Sequence, residues 1–270
     1  MIERWSEGIA ADSMAEEILL ELGPLIHRHP WWQARASLVS RLLEELSVHP
    51  PARILDAGCG WGVTLAALEN RGYQSIGLDI SHRALVKIDR PGRQLVQADL
   101  AQPIDPDRAQ NDAVLALDVI EHIEDDRAAL RRLGSLVKPG GFLIVSVPAL
   151  PEMFSEFDSI QGHRRRYLPD TLRHAFAGSE LDLERIFWWG KWLLPLLGRQ
   201  RARPRGRPGE TRAQIYRRYL ELPPQPLRSI IRLAFSLESR PAVHGRLDTG
   251  TSLFAVARRP LRAAPEVEPS

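Results

Sequence analysis

Residues 55–62 read LDAGCGWG, with Gly58, Gly60 and Gly62 at every second position directly behind Ile54 and Leu55. A predicted strand ends in Asp56, and the run after the glycines, residues 63–70, has helical character. That arrangement brings the backbone close to a ligand at the start of a helix. A dinucleotide fingerprint G-x-G-x-x-G counted from Gly58 requires glycine at position 63, where Val63 stands. No lysine followed by serine or threonine closes the loop, so a phosphate-cradling P-loop does not fit either. Three further aspartates end or follow short apolar runs: Asp79, Asp99 and Asp118. Two histidines lie beyond them, His122 four residues after Asp118 and His163 within GHRRRYL.

Taken together, ILDAGCGWG, GLDIS with Asp79, QADL with Asp99 and LALDVIEHI with Asp118 to His122 resemble the motif series of class I S-adenosylmethionine-dependent methyltransferases. The resemblance covers residues 53–147. Within that superfamily, EHI and LVKPGGFLIVSVP are most similar to the group that includes ubiquinone-biosynthesis and other small-molecule methyltransferases.

The resemblance implies S-adenosylmethionine as cofactor, held by Asp56, Gly58, Cys59, Gly60, Gly62, Asp79, Ile80, Asp99, Leu100 and Asp118. Asp79, about twenty residues past the first glycine, is placed to accept both ribose hydroxyls. Asp99 and Leu100 meet the adenine edge and ring. Asp56 and the glycine amides take the amino acid part, where a carboxylate favours the positive amine and sulfonium. Asp118 borders the position from which methyl leaves. Against these roles stand plainer ones: strand-end caps for the aspartates, and packing inside the loop for Cys59. Trp61 lies either near the amino acid part or against the first helices.

Methyl transfer from a sulfonium is an in-line displacement, so the protein mainly aligns an acceptor atom and excludes water. An acceptor hydroxyl benefits from a general base, for which histidine is suited. His163 and His122 are the candidates, and the alternative for each is a hydrogen-bonded residue that orders its loop. No metal is expected. Arg164, Arg165, Arg166 and Tyr167 suit a phosphate or carboxylate on the acceptor, or form a basic surface turn.

Short apolar runs at residues 53–56, 75–79, 94–98, 113–117 and 142–147 alternate with amphipathic stretches, the pattern of a parallel sheet covered by helices on both faces. Two more strands are expected at 181–187 and 251–257. The expected fold is a Rossmann-like, doubly wound α/β domain with seven strands, the last antiparallel. It comprises a helical flank or lid at 1–50, a cofactor-binding catalytic domain at 51–187 plus 248–260, an Arg-, Pro- and Trp-rich insertion at 188–247 and a disordered tail at 261–270. A chain of 270 residues, 44% hydrophobic, can bury one large core with such an insertion.

The first thirty residues hold six acids and no uninterrupted apolar segment, which argues against a signal peptide or spanning helix there. Cys59 is the single cysteine, so no intramolecular disulfide framework exists, and a cytoplasmic location is expected. Net charge is only +2, but residues 191–218 carry nine lysines and arginines against Glu210 alone. Such a run invites anionic partners or forms a solvated loop, since no helical period is visible in it. Trp188, Trp189 and Trp192, joined by Trp31 and Trp32, either sit at lipid headgroup depth or wall the acceptor pocket. Both favour a bulky apolar or lipid-linked acceptor, with oxygen the expected methylated atom and peripheral contact with anionic membrane. Two other functions stand beside this one: a non-catalytic cofactor-binding protein, and a nucleic-acid methyltransferase using the arginines. Against the latter, LDVIEH stands where base amino methylation has NPPY or DPPY.

Overall fold

The computed structural model describes residues 2–6, 16–105, 110–201, 206–221 and 224–261. Its strands are β1 (Glu3–Arg4), β2 (Arg53–Ala57), β3 (Gln74–Asp79), β4 (Gln94–Gln97), β5 (Asn111–Leu117), β6 (Val137–Pro148), β7 (Asp182–Trp189) and β8 (Ser252–Arg258). Among the described residues they form one sheet in the order β1-β4-β3-β2-β5-β6-β8-β7. Strands β1 to β6 pair in parallel, and β8 runs antiparallel to both β6 and β7. The central runs VLAL and FLIVSV are apolar without alternation because helices cover both faces. The predicted seven strands and the antiparallel last strand are present. Two-residue β1, beside β4, adds an eighth, too short to leave a hydrophobic period.

Helices α1 (Glu16–Glu21), α2 (Gly23–Ile26) and α3 (Pro30–Glu45) precede the sheet core. Pro30 opens α3, and the His29 ring accepts the Trp31 amide at its N-cap. Residues 1 and 7–15 of the predicted helical flank lie outside the described residues. Helices α4 (Val63–Glu69), α5 (His82–Ile88) and α6 (Asp126–Ser135) cross between parallel strands. Asp125 caps α6 by accepting the Ala128 amide. Short helices α7 (Glu156–Gln161) and α8 (Pro169–Ala175) follow β6.

Between β7 and β8 lie α9 (Leu194–Arg201), α10 (Arg212–Tyr219) and α11 (Leu227–Val243). The sequence shows no helical period in most of this stretch, yet local caps and inward aromatics make it helical. Thr211 and Gln214 form a reciprocal cap at the start of α10. Tyr216 of α10 then stacks on Phe157 of α7, ring centroids 5.2 Å apart.

The tryptophans correct an expectation. Trp189 is fully buried, its ring 5.6 Å from Trp31, 5.1 Å from Phe235 and 5.9 Å from Phe254. Trp192 packs on Phe235 at 4.8 Å, and Trp32 is buried as well. These rings join the β7–β8 end of the sheet to α3 and α11, so Trp189 and Trp32 are not at headgroup depth. The side chains of residues 199–205, including four of the nine basic residues, and nearly all of the predicted tail (residues 262–270) lie outside the described residues. No helix among the described residues is long and apolar enough to cross a membrane.

Candidate active site

The strand order reverses between β2 and β5, which opens a crevice at the carboxyl ends of the strands. Four consecutive strands deliver a carboxylate there. Asp56 lies within the last turn of β2, Asp79 ends β3, Asp99 follows β4 and Asp118 follows β5. All four line one cavity of about 660 Å³, together with Gly58, Cys59 and Gly60, His122 and His163, whereas Gly62 faces Ile88 and Arg93 outside the lining. The structure therefore assembles every predicted polar site residue around a single space.

The loop is shaped by its own hydrogen bonds. Gly58, Gly60 and Gly62 all have positive φ, and a Cβ on Gly58 would stand 2.4 Å from Val119 Cγ2. The amides of Gly58 and Cys59 both donate to Leu78 O, at 2.7 and 2.9 Å, and Gly62 N donates to Cys59 O at 2.8 Å. Gly60 N donates to Asp79 Oδ2 at 2.8 Å, while Ser81 N donates to Asp79 Oδ1 at 3.0 Å. The three glycine amides expected to face a ligand, and the Cys59 amide with them, are thus spent within the protein, and their role here is to fix the loop and the Asp79 carboxylate. The Ile80 amide also donates to this carboxylate, and at least one of its roughly four acceptor sites is left for a ligand hydroxyl. Burial raises the Asp79 carboxyl, against the pull of the amides of Ser81 and Gly60.

Cys59 is buried beside Leu65, Leu85 and Leu95, and burial followed by the Asp79 and Asp56 charges pushes its thiol well up, so it is an inert packing group. Trp61 meets the flank, its ring 6.0 Å from Trp32 and its carbonyl 2.9 Å from His27 Nε2, and it also lines the cavity. Asp99 Oδ1 accepts the Ala101 amide at 2.8 Å, and Ile80 and Leu100 line the cavity nearby.

Arg35 of α3 was not singled out in the sequence, because it sits in an amphipathic helix with no motif around it. Its guanidinium pairs with Asp118 and lies 4.8 Å over the Trp31 ring, and its Nε is buried without a partner. Asp118 has φ 57° and also accepts from Ser146 Oγ at 3.2 Å. Burial lifts the Asp56 carboxyl from 3.8 to about 7, with Arg35 opposing and Asp79 adding to the shift. A cationic ligand favours the carboxylate, so binding expels a proton whenever Asp56 is neutral. Affinity for such a ligand should be weakest at low pH, rise about tenfold per unit as pH approaches 7, and level off above it. Calorimetry from pH 5.5 to 8.5 checks this, and Asp56→Asn should flatten the profile.

On the acceptor side, His122 and His163 meet edge to face at 4.7 Å. Burial, then the neighbouring His163, lowers His122 to about 3, which makes it a weak proton acceptor. His163 Nδ1 lies 3.1 Å from Asp158 Oδ1, and that carboxylate is held in turn by the Arg166 guanidinium at 2.9 and 2.8 Å. With Nδ1–H donating to Asp158, the Nε2 lone pair of His163 is left on the opposite side of the ring. Glu121 is fully buried with both carboxyl oxygens unpartnered, Oε1 3.9 Å from His163 Nε2; burial and then Asp118 raise its carboxyl well up. One donor atom each from Glu121, His122 and His163 lie within 4.8 Å of one another, a set with the chemistry to hold a metal ion. Sequence reasoning missed both Glu121 and Asp158.

The arginines expected to meet an acceptor phosphate are engaged elsewhere. Arg164 pairs with Glu124 and donates to His122 O; Arg165 lies 3.2 Å from Asp126; Arg166 is buried on Asp158 and Ala149 O. Tyr167 donates to Asp126 at 2.8 Å. This turn is a built support for the histidines, and neither an anion clamp nor a free basic surface. Beyond the histidines the cavity is apolar, walled by Leu193 and Leu197 near α9, Tyr216 and Tyr219 of α10, and Ile231 and Phe235 of α11.

Such a site, on such a sheet, defines a methyltransferase domain, and the chain belongs to that family: the family model matches residues 31–186, more than half of the chain. S-adenosylmethionine is its cofactor. The chain is similar to the ubiquinone biosynthesis O-methyltransferase of Alkalilimnicola ehrlichii, 36% identical over 35% of this chain and 40% of that protein. It is likewise 36% identical to the protein of that name from Xanthomonas campestris pv. campestris, over 36% of this chain and 43% of that one. The chain thus matches about two fifths of the length of these relatives. In fold it is similar to an S-adenosylmethionine-dependent methyltransferase from Mesorhizobium loti (TM-score 0.50, 18% identity, 77% of this chain and 91% of that one). The [4+2]-cyclase SpnF is also similar (TM-score 0.55, 20% identity, 87% and 85%).

Proposed function

We propose that the protein transfers the methyl group of S-adenosylmethionine to an oxygen of a small apolar or lipid-linked acceptor. The observation that carries this is the ring of Asp56, Asp79, Asp99 and Asp118 at the ends of four adjacent strands, opening into an apolar chamber that holds His163. A cavity of about 660 Å³ suits a cofactor-sized ligand. The names of the similar proteins, O-methyltransferases, support oxygen as the accepting atom.

Bound S-adenosylmethionine supplies an electrophilic methyl group on a sulfonium. Asp79 accepts from the ribose on the acceptor site that Gly60, Ile80 and Ser81 leave open. Asp99 accepts from the adenine amine while Ile80 and Leu100 cover the ring. Asp56 takes the amine, and the unpartnered Nε of Arg35 meets the carboxylate of the amino acid part. Asp118, locked to Arg35, closes the floor next to the acceptor. His163, oriented by Asp158, takes the acceptor hydroxyl proton on Nε2, which makes the oxygen a better nucleophile as the methyl departs.

In this account residues 51–187 and 248–260 form the cofactor-binding catalytic domain, residues 1–50 its flank, and residues 188–247 the wall of the acceptor chamber. The protein works in the cytoplasm, in peripheral contact with anionic membrane. Calorimetric titration with S-adenosylmethionine tests the cofactor half: one saturable site per chain is expected, and no heat of binding at millimolar ligand would contradict it.

A further inference from the structure

Helix α11 is apolar on two opposite faces. Phe235, Ala242 and Val243 turn inward and are buried, and the helix packs on α3 and β7. At about 100° per residue the other arc carries Leu227, Ile230, Leu233 and Leu237. These four are 46, 57, 59 and 69% exposed. A second apolar face on a helix is normally covered as the first is, yet no described element covers this side. Single exposed leucines are ordinary, but four aliphatic side chains in one stripe form a contact surface.

The stripe runs to the mouth of the acceptor chamber. Leu227 both lines the cavity and stands exposed, as does Leu196 of α9, so the two form part of its rim. The exposed charges of α11 itself are all basic, while Glu221 is an exposed acid among the residues lining the cavity. At the same 100° per residue Arg240 borders the stripe beside Leu233, whereas Arg228 and Arg232 leave the helix on its other flank, and Glu238 is turned inward, accepting the Lys191 amide at 2.7 Å. Arg240 also lines, with Arg41 and Arg246, a second hollow of about 500 Å³ whose one acid, Glu45, lies 3.8 Å from Arg185. Aliphatic side chains with the Arg240 guanidinium at their border, and Arg41 and Arg246 beside it, suit the boundary of a bilayer, where the chains enter the acyl region and the cations meet phosphodiesters.

We propose that the face formed by Ile230, Leu233 and Leu237 of α11 seats the protein on an anionic lipid bilayer, with the mouth of the acceptor chamber turned toward the lipid. The assignment rests on an apolar acceptor and deepens that reading, because such a molecule then enters the chamber without crossing water. It moves the membrane contact from the buried Trp189 to a helix the sequence did not single out.

Flotation of the full chain with vesicles of mixed phosphatidylcholine and phosphatidylglycerol tests it. The protein should float with these vesicles and not with phosphatidylcholine alone. The triple substitution Ile230→Ser, Leu233→Ser, Leu237→Ser should weaken binding at least about tenfold, and Arg240→Gln with Arg246→Gln should weaken it and lessen its salt dependence. All three substituted apolar side chains lie outside the cavity lining, so affinity for S-adenosylmethionine in solution should be unchanged. No flotation of the unsubstituted chain, or equal flotation of the triple variant, overturns the proposal. So does a concentration-dependent dimer that the triple variant abolishes, since a second copy then covers the stripe. Failure of cofactor binding in vesicle-free solution would instead remove the proposed function and leave the flotation result standing.

Discussion

Replacing Asp79 by alanine should weaken S-adenosylmethionine binding about 100-fold, or ~3 kcal/mol, while the chain stays folded. A charge-assisted hydrogen bond to the ribose is lost, worth about 1.5 to 3 kcal/mol. The amides of Gly60 and Ser81, which donate to this carboxylate at 2.8 and 3.0 Å, lose their acceptor as well, so the glycine loop loosens where the ligand sits. Removing the side chain also relieves the cost of a buried carboxylate, which keeps the loss in folding stability smaller than the loss in binding. Calorimetry on the variant, with thermal unfolding as the control for fold, separates the two. Unchanged affinity would place the ribose elsewhere.

The second large effect concerns the base. His163→Gln should lower kcat about 100- to 10,000-fold and leave the dissociation constant for S-adenosylmethionine within about twofold, since the side chain acts on the acceptor proton. The same change at His122 should cost under about tenfold in kcat, because that imidazole is held near 3 and takes up little proton at neutral pH. Single-turnover rates with a phenolic acceptor, paired with calorimetry, check both. A larger loss at His122 than at His163 would reverse the assignment. The contrast arises from surroundings: His163 has the Asp158 carboxylate 3.1 Å from Nδ1, whereas His122 Nδ1 is buried without a partner.

The cofactor side of this site was legible in the sequence because parallel strands and the turns after them are local. An apolar run, an aspartate and a glycine turn within eight residues specify where Asp56 and the loop lie, and three repeats of strand and carboxylate specify the rest. The acceptor side was not. Arg35 reaches Asp118 from 83 residues away, and His163, with Asp158 five residues before it, meets His122 and Glu121 only because α7 and the turn after it fold back toward the 3₁₀ turn at Ile120–His122. Neither juxtaposition leaves a spacing signal. The insertion misled for a physical reason: aromatic residues next to arginines have the composition of an interfacial anchor, yet Trp189 continues an edge strand whose inner side meets α3 and α11. The exposed apolar arc of α11 lies opposite a buried arc, with arginines and serines between them, so the stretch reads only as part of an Arg-, Pro- and Trp-rich insertion.

One measurement addresses the central claim most directly: incubation of the protein with S-adenosyl-L-[methyl-³H]methionine and a total cell extract, followed by separation of lipid, small-molecule, protein and nucleic-acid fractions. The account predicts base-stable label in the organic-extractable fraction, dependent on His163 and Asp79. Label confined to the nucleic-acid fraction, or none in any fraction from a chain that binds the cofactor, would contradict it.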